Sequence, residues 1–243
     1  FIPRRGDGVA LSAGDIETYL TCPLKYKFAR VMRVPQEPTV AQRFGIVMHQ
    51  VLERWHRQDR GTEADLLALL DNSWRRSGLG DGERERQLRS KAKDALSRYH
   101  RQDSDRDAST IWLERPFTFR IGPHILRGRV DRVDQLGDGR FELIDYKTSF
   151  PKTADELRDD IQLTLYAIGA RDAWRLEAST RSYWYVLDGD RVEVPGEIDR
   201  GEIEATVTSV AEGILGQGFE PNPSNAACST CDWRLACPAA ESV

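Results

Sequence analysis

The middle of the chain holds three consecutive predicted strands, and this run constrains the fold more than any other feature of the sequence. Alternating apolar and polar residues predict strands over residues 111–120, 124–135 and 141–148. The triplet Gly-Asp-Gly at 137–139 stands between the last two strands and predicts a hairpin turn. Adjacent antiparallel strands are therefore expected at the centre of the protein.

Helical patterns flank this β-rich segment on both sides. The predicted helices span residues 13–21, 40–60, 63–74, 83–100, 154–176 and 199–215, two further strands span 182–187 and 191–194, and residues 1–11 and 101–110 are expected to be irregular. This order predicts one α/β domain over residues 1–243. It would comprise a helical N-terminal layer (12–110), a sheet with an interposed helix (111–195), and a C-terminal helix with a cysteine-rich tail (196–243).

The composition is typical of a soluble globular protein, with 40% apolar and 30% charged residues in a chain of 243. No uncharged stretch reaches the length of a membrane span and no signal peptide opens the chain, so a cytoplasmic protein with no membrane partner is expected. The first residue is Phe1 rather than Met, which indicates a trimmed chain or a domain cut from a longer polypeptide.

The net charge of −4 differs from that of a strongly basic nucleic-acid-binding protein, although a local basic groove is sufficient to bind DNA. Lys25, Lys27 and Arg30 lie in a segment, 22–33, that contains no acidic residue. A second run of arginines between residues 115 and 132 includes Arg129. Both runs are candidate DNA contacts, and solvated surface charge is the alternative interpretation of each.

Two acidic residues and a lysine fall on neighbouring predicted strands. Asp131 ends the motif Gly-Arg-Val-Asp on one strand, and Asp145 and Lys147 lie two residues apart on the next. Side chains two apart on a strand share a face, and a hairpin can bring Asp131 to that face. Nearby carboxylates repel each other unless a cation relieves the repulsion, and oxygen ligands suit Mg²⁺ or Mn²⁺. The alternative is an ordinary hairpin with a salt bridge, because Asp-x-Lys is a common triplet.

Three further polar residues lie on predicted helices. Gln162 and Tyr166 are four residues apart and share a helix face, where both can hydrogen-bond a phosphate or align a catalytic group. His49 lies on a flank that Gly45 leaves open, and imidazole is a frequent metal ligand. A polar helix edge and a structural or solvated histidine are the ordinary alternatives. Glu53, one turn after His49, could touch a metal but is expected to form a surface ion pair.

The four cysteines are Cys22 near the start and Cys228, Cys231 and Cys237 in the tail, the last three spaced C-x2-C-x5-C. Disulfides are not expected in an intracellular chain, whose thiols stay reduced. Four thiolates suit either an iron–sulfur cluster or zinc. Zinc sites more often pair two C-x2-C elements, and Cys22 lacks such a neighbour.

The ordered motifs resemble those of the RecB-like nucleases of the PD-(D/E)xK superfamily. The motifs are Gly45-x3-His49-x3-Glu53, Gly128-Arg129-Val130-Asp131, Asp145-Tyr146-Lys147 and Gln162-x3-Tyr166, and the resemblance extends from about Leu11 to Pro238. It implies a restriction-endonuclease-like core, in which helices flank a mixed sheet. The cysteine pattern, with a proline after Cys22 and after Cys237, is similar to that of the iron–sulfur branch of these nucleases, which implies a [4Fe–4S] cluster.

The resemblance also assigns roles to the site residues. It implies that Mn²⁺ or Mg²⁺ is bound by His49, Asp131, Asp145 and the main-chain carbonyl of Tyr146. It implies that Lys147 acts on the attacking water, and that Gln162 and Tyr166 support catalysis and hold DNA. The cluster would tie the N-terminal helix to the tail.

The function that the resemblance implies is metal-dependent cleavage of DNA, on single strands or unwound ends, in repair or recombination with a partner or fused helicase. No G-x4-G-K-[ST] phosphate loop is present, so the chain is not expected to hydrolyse ATP. Two other functions stay open. One is a non-catalytic DNA-binding module that guides a strand, and the other is an interaction domain held together by zinc.

Overall fold

The structure is a computed structural model that describes residues 4–5, 7–58 and 61–240. The chain divides into two compact units: the first contains residues 1–37, 117–128 and 198–243, and the second contains residues 38–116 and 129–197. Within the described residues, no helix is both long enough and apolar enough to cross a lipid bilayer.

The described residues form seven strands and eight α-helices. The helices are α1 (Ala13–Thr21), α2 (Pro23–Tyr26), α3 (Val40–Arg57), α4 (Glu63–Trp74), α5 (Glu83–Ser104), α6 (Ile161–Trp174), α7 (Arg200–Leu215) and α8 (Asn225–Ser229). The strands are β1 (Arg4–Arg5), β2 (Gly8–Leu11), β3 (Ala108–Ile121), β4 (His124–Leu136), β5 (Phe141–Lys147), β6 (Thr180–Tyr185) and β7 (Asp190–Glu193). A π-helical turn, Lys27–Val31, follows α2, and a 3₁₀ turn, Asp155–Leu157, precedes α6.

Helix α1 of the first unit begins and ends where the sequence predicts. The Ser12 side chain accepts a hydrogen bond from the Asp15 amide, the Asp15 carboxylate accepts one from the Ser12 amide, and this capping box starts the helix. The Tyr19 hydroxyl donates to the carbonyl of Gly218 over 2.6 Å, and the ring of Tyr26 stacks on Phe219. These contacts join α1 and α2 to the segment that follows α7.

The prediction that residues 1–11 are irregular is wrong for Arg4–Arg5 and Gly8–Leu11, which form strands, and residues 1–3 and 6 lie outside the described part. Strand β2 pairs in parallel with β4, where Ala10 stands opposite Ile125. A parallel partner so distant in the sequence requires no hairpin turn, and a strand of four residues is too short to show clear alternation.

Helices α3, α4 and α5 of the second unit share one apolar core, which includes the fully buried Trp55 and Trp74. The predicted end of α3, Arg60, lies outside the described residues, and the helix ends at Arg57. The predicted loop over 101–110 is wrong at both ends, because α5 continues to Ser104 and β3 begins at Ala108. The buried carboxylate of Asp103 pairs with an arginine of the sheet, a tertiary contact that holds the last turn of α5.

The second unit contains a mixed sheet, as predicted. Strands β4 and β5 are antiparallel, β5 and β6 are parallel, and β6 and β7 are antiparallel. Helix α6 lies in the crossover between the two parallel strands, the connection that parallel pairing requires. The sheet and its flanking helices confirm the predicted fold class.

Helix α6 begins later than predicted. Residues 154–160 contain the 3₁₀ turn, and the first residue of the α-helix is Ile161. The Asp160 carboxylate accepts a hydrogen bond from the Leu163 amide over 2.8 Å, and this cap sets the start of the helix. The prediction of one helix from 154 is therefore wrong for residues 154–160.

Candidate active site

Helix α3 places His49 at the edge of an open cleft in the second unit. Phe44 and Met48 on its buried face fix the rotation of the helix, while the His49 side chain keeps 34% of its surface exposed. The His49 Nδ1 atom lies 3.3 Å from Oδ2 of Asp131. The cleft, of about 760 Å³, is also lined by Gly45.

Strands β4 and β5 bring Asp131 and Asp145 to adjacent positions. Arg132 of β4 pairs with Ile144 of β5. Because the strands are antiparallel, Asp131, which precedes Arg132, stands beside Asp145, which follows Ile144. The amide of Tyr146 donates to Oδ2 of Asp131 over 2.9 Å and holds that carboxylate in place. The ring of Tyr146 also packs edge-on against His49, with ring centroids 6.1 Å apart.

A chain of hydrogen bonds runs from Asp145 to helix α6. The Lys147 ammonium lies 2.8 Å from Oδ2 of Asp145 and donates to Oε1 of Gln162 over 2.8 Å. The other end of the amide, Nε2 of Gln162, donates to Oδ1 of Asp145 over 2.7 Å and lies 3.0 Å from the Tyr166 hydroxyl. The structure therefore brings Asp145, Lys147, Gln162 and Tyr166 into one connected set.

The electrostatics of the site favour a bound cation. Burial and the nearby charge of Asp131 raise the pKa of the Asp145 carboxyl to about 7. Burial alone would lower the pKa of His49, but the hydrogen bond and charge of Asp131 outweigh it and raise that pKa to about 9. In both cases the carboxylates crowd negative charge into a partly desolvated space, and a divalent cation would neutralise that charge.

Glu114 belongs to this site, although the sequence motifs do not include it. Ligand atoms of Glu114, His49 and Asp131 all lie within 4.8 Å of one another, a spacing that fits one shared metal ion. Burial and the Asp131 charge raise the pKa of the Glu114 carboxyl. Asp145, which the motifs also place among the ligands, lies outside this group of three and accepts a hydrogen bond from Gln162.

An irregularity in β3 aims Glu114 at the site. Its backbone has a φ of 48°, in the left-handed region that non-glycine residues rarely adopt. The next residue, Arg115, stacks its guanidinium 3.6 Å from the ring centre of Trp112 and 5.1 Å from that of Trp174. This stack holds the strand on either side of the strained residue. A single residue with left-handed backbone geometry leaves no periodic sequence signal, and the only sequence clue is an acidic residue within a predicted strand.

A buried polar network supports the strand that carries Asp145. Arg132 is fully buried, and its guanidinium donates to Asp103, Asp134 and the Tyr99 hydroxyl. The Tyr99 hydroxyl lies 2.6 Å from that of Tyr146. Arg132 belongs to the second run of arginines, and the interpretation of that run as surface or DNA-contacting charge is wrong for this residue.

The basic residues predicted to contact DNA are divided between the two units and differ in what their side chains contact. In the first unit, Arg30 is paired with Asp15 over 2.6 Å, Lys27 lies over the ring of Phe219 at 5.6 Å, and Lys25 lines the pocket formed by the cysteines. In the second unit, Arg129 lines the cleft beside Asp131, and its side chain is 64% exposed.

Glu53 lies in an ion pair with Arg57, with 2.8 Å between Oε1 and Nη2, as expected of a surface pair on one helix. The same residue also lines the cleft that contains His49.

The four cysteines of the first unit line one pocket. They are reduced and half-buried, and apolar side chains that include Phe28 and Trp233 line the same pocket. The amide of Asn222 lies 3.5 Å from the sulfur of Cys22. The tail cysteines and Cys22 are therefore brought together, although 205 residues separate Cys22 from Cys228 in the sequence.

A family model described as the PD-(D/E)XK nuclease superfamily matches residues 10–238 of the chain. The chain belongs to this superfamily. The match covers both the carboxylate–lysine strands and the cysteine tail. Membership indicates a nuclease, and nucleases of this superfamily use Mg²⁺ or Mn²⁺, for which the cluster around Asp131 is a candidate site.

Two phage proteins are similar to this PD-(D/E)XK protein along nearly its whole length. Each is called Gene 69 protein, one from Mycobacterium phage D29 and one from Mycobacterium phage L5. The D29 protein is 24% identical, with 93% of this chain and 96% of the phage protein covered. The L5 protein is 23% identical, with 93% of this chain and 95% of the phage protein covered.

Among solved structures, a crystal structure of SSO0001 aligns with 89% of this chain and 94% of its own, at 18% identity and a TM-score of 0.38.

Proposed function

We propose that this PD-(D/E)XK protein is a metal-dependent deoxyribonuclease that hydrolyses phosphodiester bonds in the cleft beside His49. The observation that carries the proposal is the connected set of Asp145, Lys147 and Gln162, with Asp131 standing beside Asp145 in the sheet. If the Asp145–Lys147 salt bridge served only to stabilise the fold, it would need neither the neighbouring Asp131 carboxylate nor an open cleft.

The metal site would be formed by side chains from three elements. His49 of α3, Glu114 of β3 and Asp131 of β4 already lie close enough to share one ion. Asp145 and the main-chain carbonyl of Tyr146 are the further proposed ligands. A bound Mn²⁺ or Mg²⁺ would activate water and offset the negative charge that develops on the phosphate.

Lys147 is the proposed catalytic amine. Its Nζ is held between Asp145 and Gln162, so the ammonium is fixed at the inner end of the site rather than free to rotate in solvent. From this position Nζ can orient the attacking water and donate a hydrogen bond to a phosphate oxygen. Gln162 fixes the relative positions of the Lys147 and Asp145 side chains. Tyr166, on the next turn of α6, hydrogen-bonds Gln162 in turn.

The proposed substrate is DNA, as single strands or unwound ends, in repair or recombination in the cytoplasm. A helicase in the same polypeptide or in a partner would supply unwound strands, because the chain has no phosphate loop of its own. Arg129 at the cleft, and Lys25, Lys27 and Arg30 in the first unit, are the proposed backbone contacts.

A [4Fe–4S] cluster is the proposed occupant of the cysteine pocket, which would place the protein in the RecB-like iron–sulfur branch. The four cysteines, all in the described part of the chain, line one pocket, which supports a site that four thiolates hold together. Cys22 has no C-x2-C neighbour of the kind that zinc sites usually pair, and this favours a cluster over a single zinc ion. Cys22, Cys228, Cys231 and Cys237 would then hold both ends of the first unit together.

Cleavage of a labelled single-stranded oligonucleotide with and without Mn²⁺ or Mg²⁺ tests the proposed activity. Lys147→Ala and Asp145→Asn should abolish cutting, whereas Lys152→Ala and Asp138→Asn, exposed residues of the same unit, should not. Metal-independent binding without cutting would favour the strand-guiding module instead. Anaerobic purification with iron and zinc analysis tests the cluster, and a colourless zinc protein would overturn it.

A further inference from the structure

Phe150 is an aromatic side chain with 89% of its surface exposed, only three residues beyond Lys147. It lines an open pocket of about 400 Å³ in the second unit, together with Thr148 and Ser149. Single exposed apolar residues are common, so the exposure alone indicates little. The position directly after the catalytic strand is what distinguishes Phe150.

The segment that carries Phe150 is braced on both sides. The Lys147 carbonyl accepts a hydrogen bond from the Val186 amide over 2.9 Å. The amide and hydroxyl of Thr153 both donate to Glu156 over 2.8 Å. Pro151 restricts the backbone of the residue before it to extended conformations. The segment that presents the ring to solvent is therefore anchored at Lys147 and Thr153, and Pro151 narrows the backbone choices of Phe150 itself.

This pocket adjoins the catalytic cleft at Gly45. A Cβ atom placed on Gly45 would lie 3.4 Å from Oγ1 of Thr148, so the helix and the segment after β5 touch there. Gly45 lines the cleft that contains His49, and Thr148 lines the pocket that contains Phe150. The cleft and the pocket of Phe150 are therefore neighbours, with the Gly45–Thr148 contact between them.

The chain length between Lys147 and Phe150 limits how far apart they can lie. Three extended residues span at most about 11 Å. Successive phosphates of one strand advance about 3.4 Å along a stacked helix. The separation of the two Cα atoms therefore corresponds to no more than about three nucleotides of a stacked strand.

The charge of the pocket indicates which part of a nucleotide it would bind. Lys91 and Arg98 line it, but so do Asp94 and Asp188, so the basic and acidic side chains balance. A phosphate gains little in such surroundings. A base, which offers a flat uncharged face, gains from an exposed aromatic ring.

We propose that Phe150 stacks on an unpaired base of the DNA, one to three nucleotides from the bond that is cut. This inference rests on the proposed nuclease function and deepens it by naming the form of DNA that is bound. A base in a duplex is already stacked between its neighbours and cannot stack on Phe150. The contact therefore requires the substrate to be single-stranded at that position.

The test compares oligothymidine binding by Phe150→Ala, Phe150→Tyr and the parent chain, all in a Lys147→Ala background with Mn²⁺. Phe150→Ala should weaken binding by about 5- to 150-fold, the range for loss of one base–aromatic stack, while Phe150→Tyr should bind normally. Val40→Ala, which removes another exposed apolar side chain of the second unit, is the matched control and should have no effect.

A single abasic nucleotide moved along the oligonucleotide locates the stacked base. With Phe150 present, affinity should fall at one position within three nucleotides of the cut, and with Phe150→Ala that sensitivity should vanish. Equal affinities for Phe150→Ala and the parent, or an abasic effect that persists in the variant, would overturn the stacking proposal. Failure of the chain with Lys147 intact to cut the unmodified oligonucleotide would instead overturn the nuclease function, and this inference with it.

Discussion

The Nζ atom of Lys147 donates to Oε1 of Gln162 over 2.8 Å, which couples the end of strand β5 to helix α6. Because the same glutamine donates to Asp145 over 2.7 Å, one side chain holds both the amine and the carboxylate. Under the proposed function, Gln162 would act on the reaction by positioning these two neighbours.

Gln162→Ala should lower kcat by about 10- to 100-fold with little change in KM, the usual effect of removing a residue that orients a metal-site group. Steady-state cleavage of a single-stranded oligonucleotide measures both constants. Gln87→Ala, an exposed glutamine on α5, is the control. A rise in KM with unchanged kcat would show that Gln162 binds substrate and orients nothing.

The metal-free protein should show a strongly shifted histidine. Asp131 raises the pKa of His49 to about 9, so the imidazole stays protonated at neutral pH. Because the folded pKa lies above the unfolded value, the ion pair stabilises the fold fully below about pH 6.5, and this contribution is lost as the pH rises through 9. NMR titration of labelled histidine in EDTA measures the shift, and Asp131→Asn should lower the pKa. A pKa near 6.5 for His49 in the unchanged protein would show that His49 does not pair with Asp131 as the structure has it.

Arg132→Met should destabilise the protein by about 3–5 kcal/mol, because the buried carboxylates of Asp103 and Asp134 would lose their partner. Urea unfolding measures the change in the free energy of unfolding. Arg140→Met, which breaks an exposed pair with Asp138, should change the free energy of unfolding far less, because solvent screens surface pairs. Equal effects of the two substitutions would show that the buried network contributes no more than a surface pair.

Glu114→Gln should weaken Mn²⁺ binding by about tenfold or more, because affinity for hard cations follows the number of charged oxygen ligands. Calorimetric titration of the metal-free protein measures the dissociation constant. Asp138→Asn, an acidic residue in the turn between β4 and β5, is the matched control. Unchanged affinity in Glu114→Gln would exclude this carboxylate from the metal site.

Elements with local signals were predictable from the sequence. Helix α4 begins and ends as expected, because Thr62 and Asp65 form a capping box and the apolar residues recur at helical spacing. Asp145 and Lys147 share a face for an equally local reason, the alternation of side chains along a strand.

Features set by distant parts of the chain were not predictable. Strand β2 exists because of a parallel partner far along the sequence, and the last turn of α5 is held by the pairing of Asp103 with Arg132. Glu114 reaches the site through a backbone distortion that no periodic pattern encodes. Arg132 resembles a surface arginine until the carboxylates that surround it are known.

The proposed nuclease function requires side chains of α3, β3, β4 and β5 to hold one divalent cation beside Lys147. Crystals soaked in Mn²⁺ and measured at a wavelength sensitive to manganese would locate that ion. We expect an anomalous peak about 2.1 Å from an Asp131 carboxylate oxygen and a nitrogen of His49, with Asp145 in reach. A peak at another position, or no peak at saturating Mn²⁺, would show that these side chains do not form the metal site.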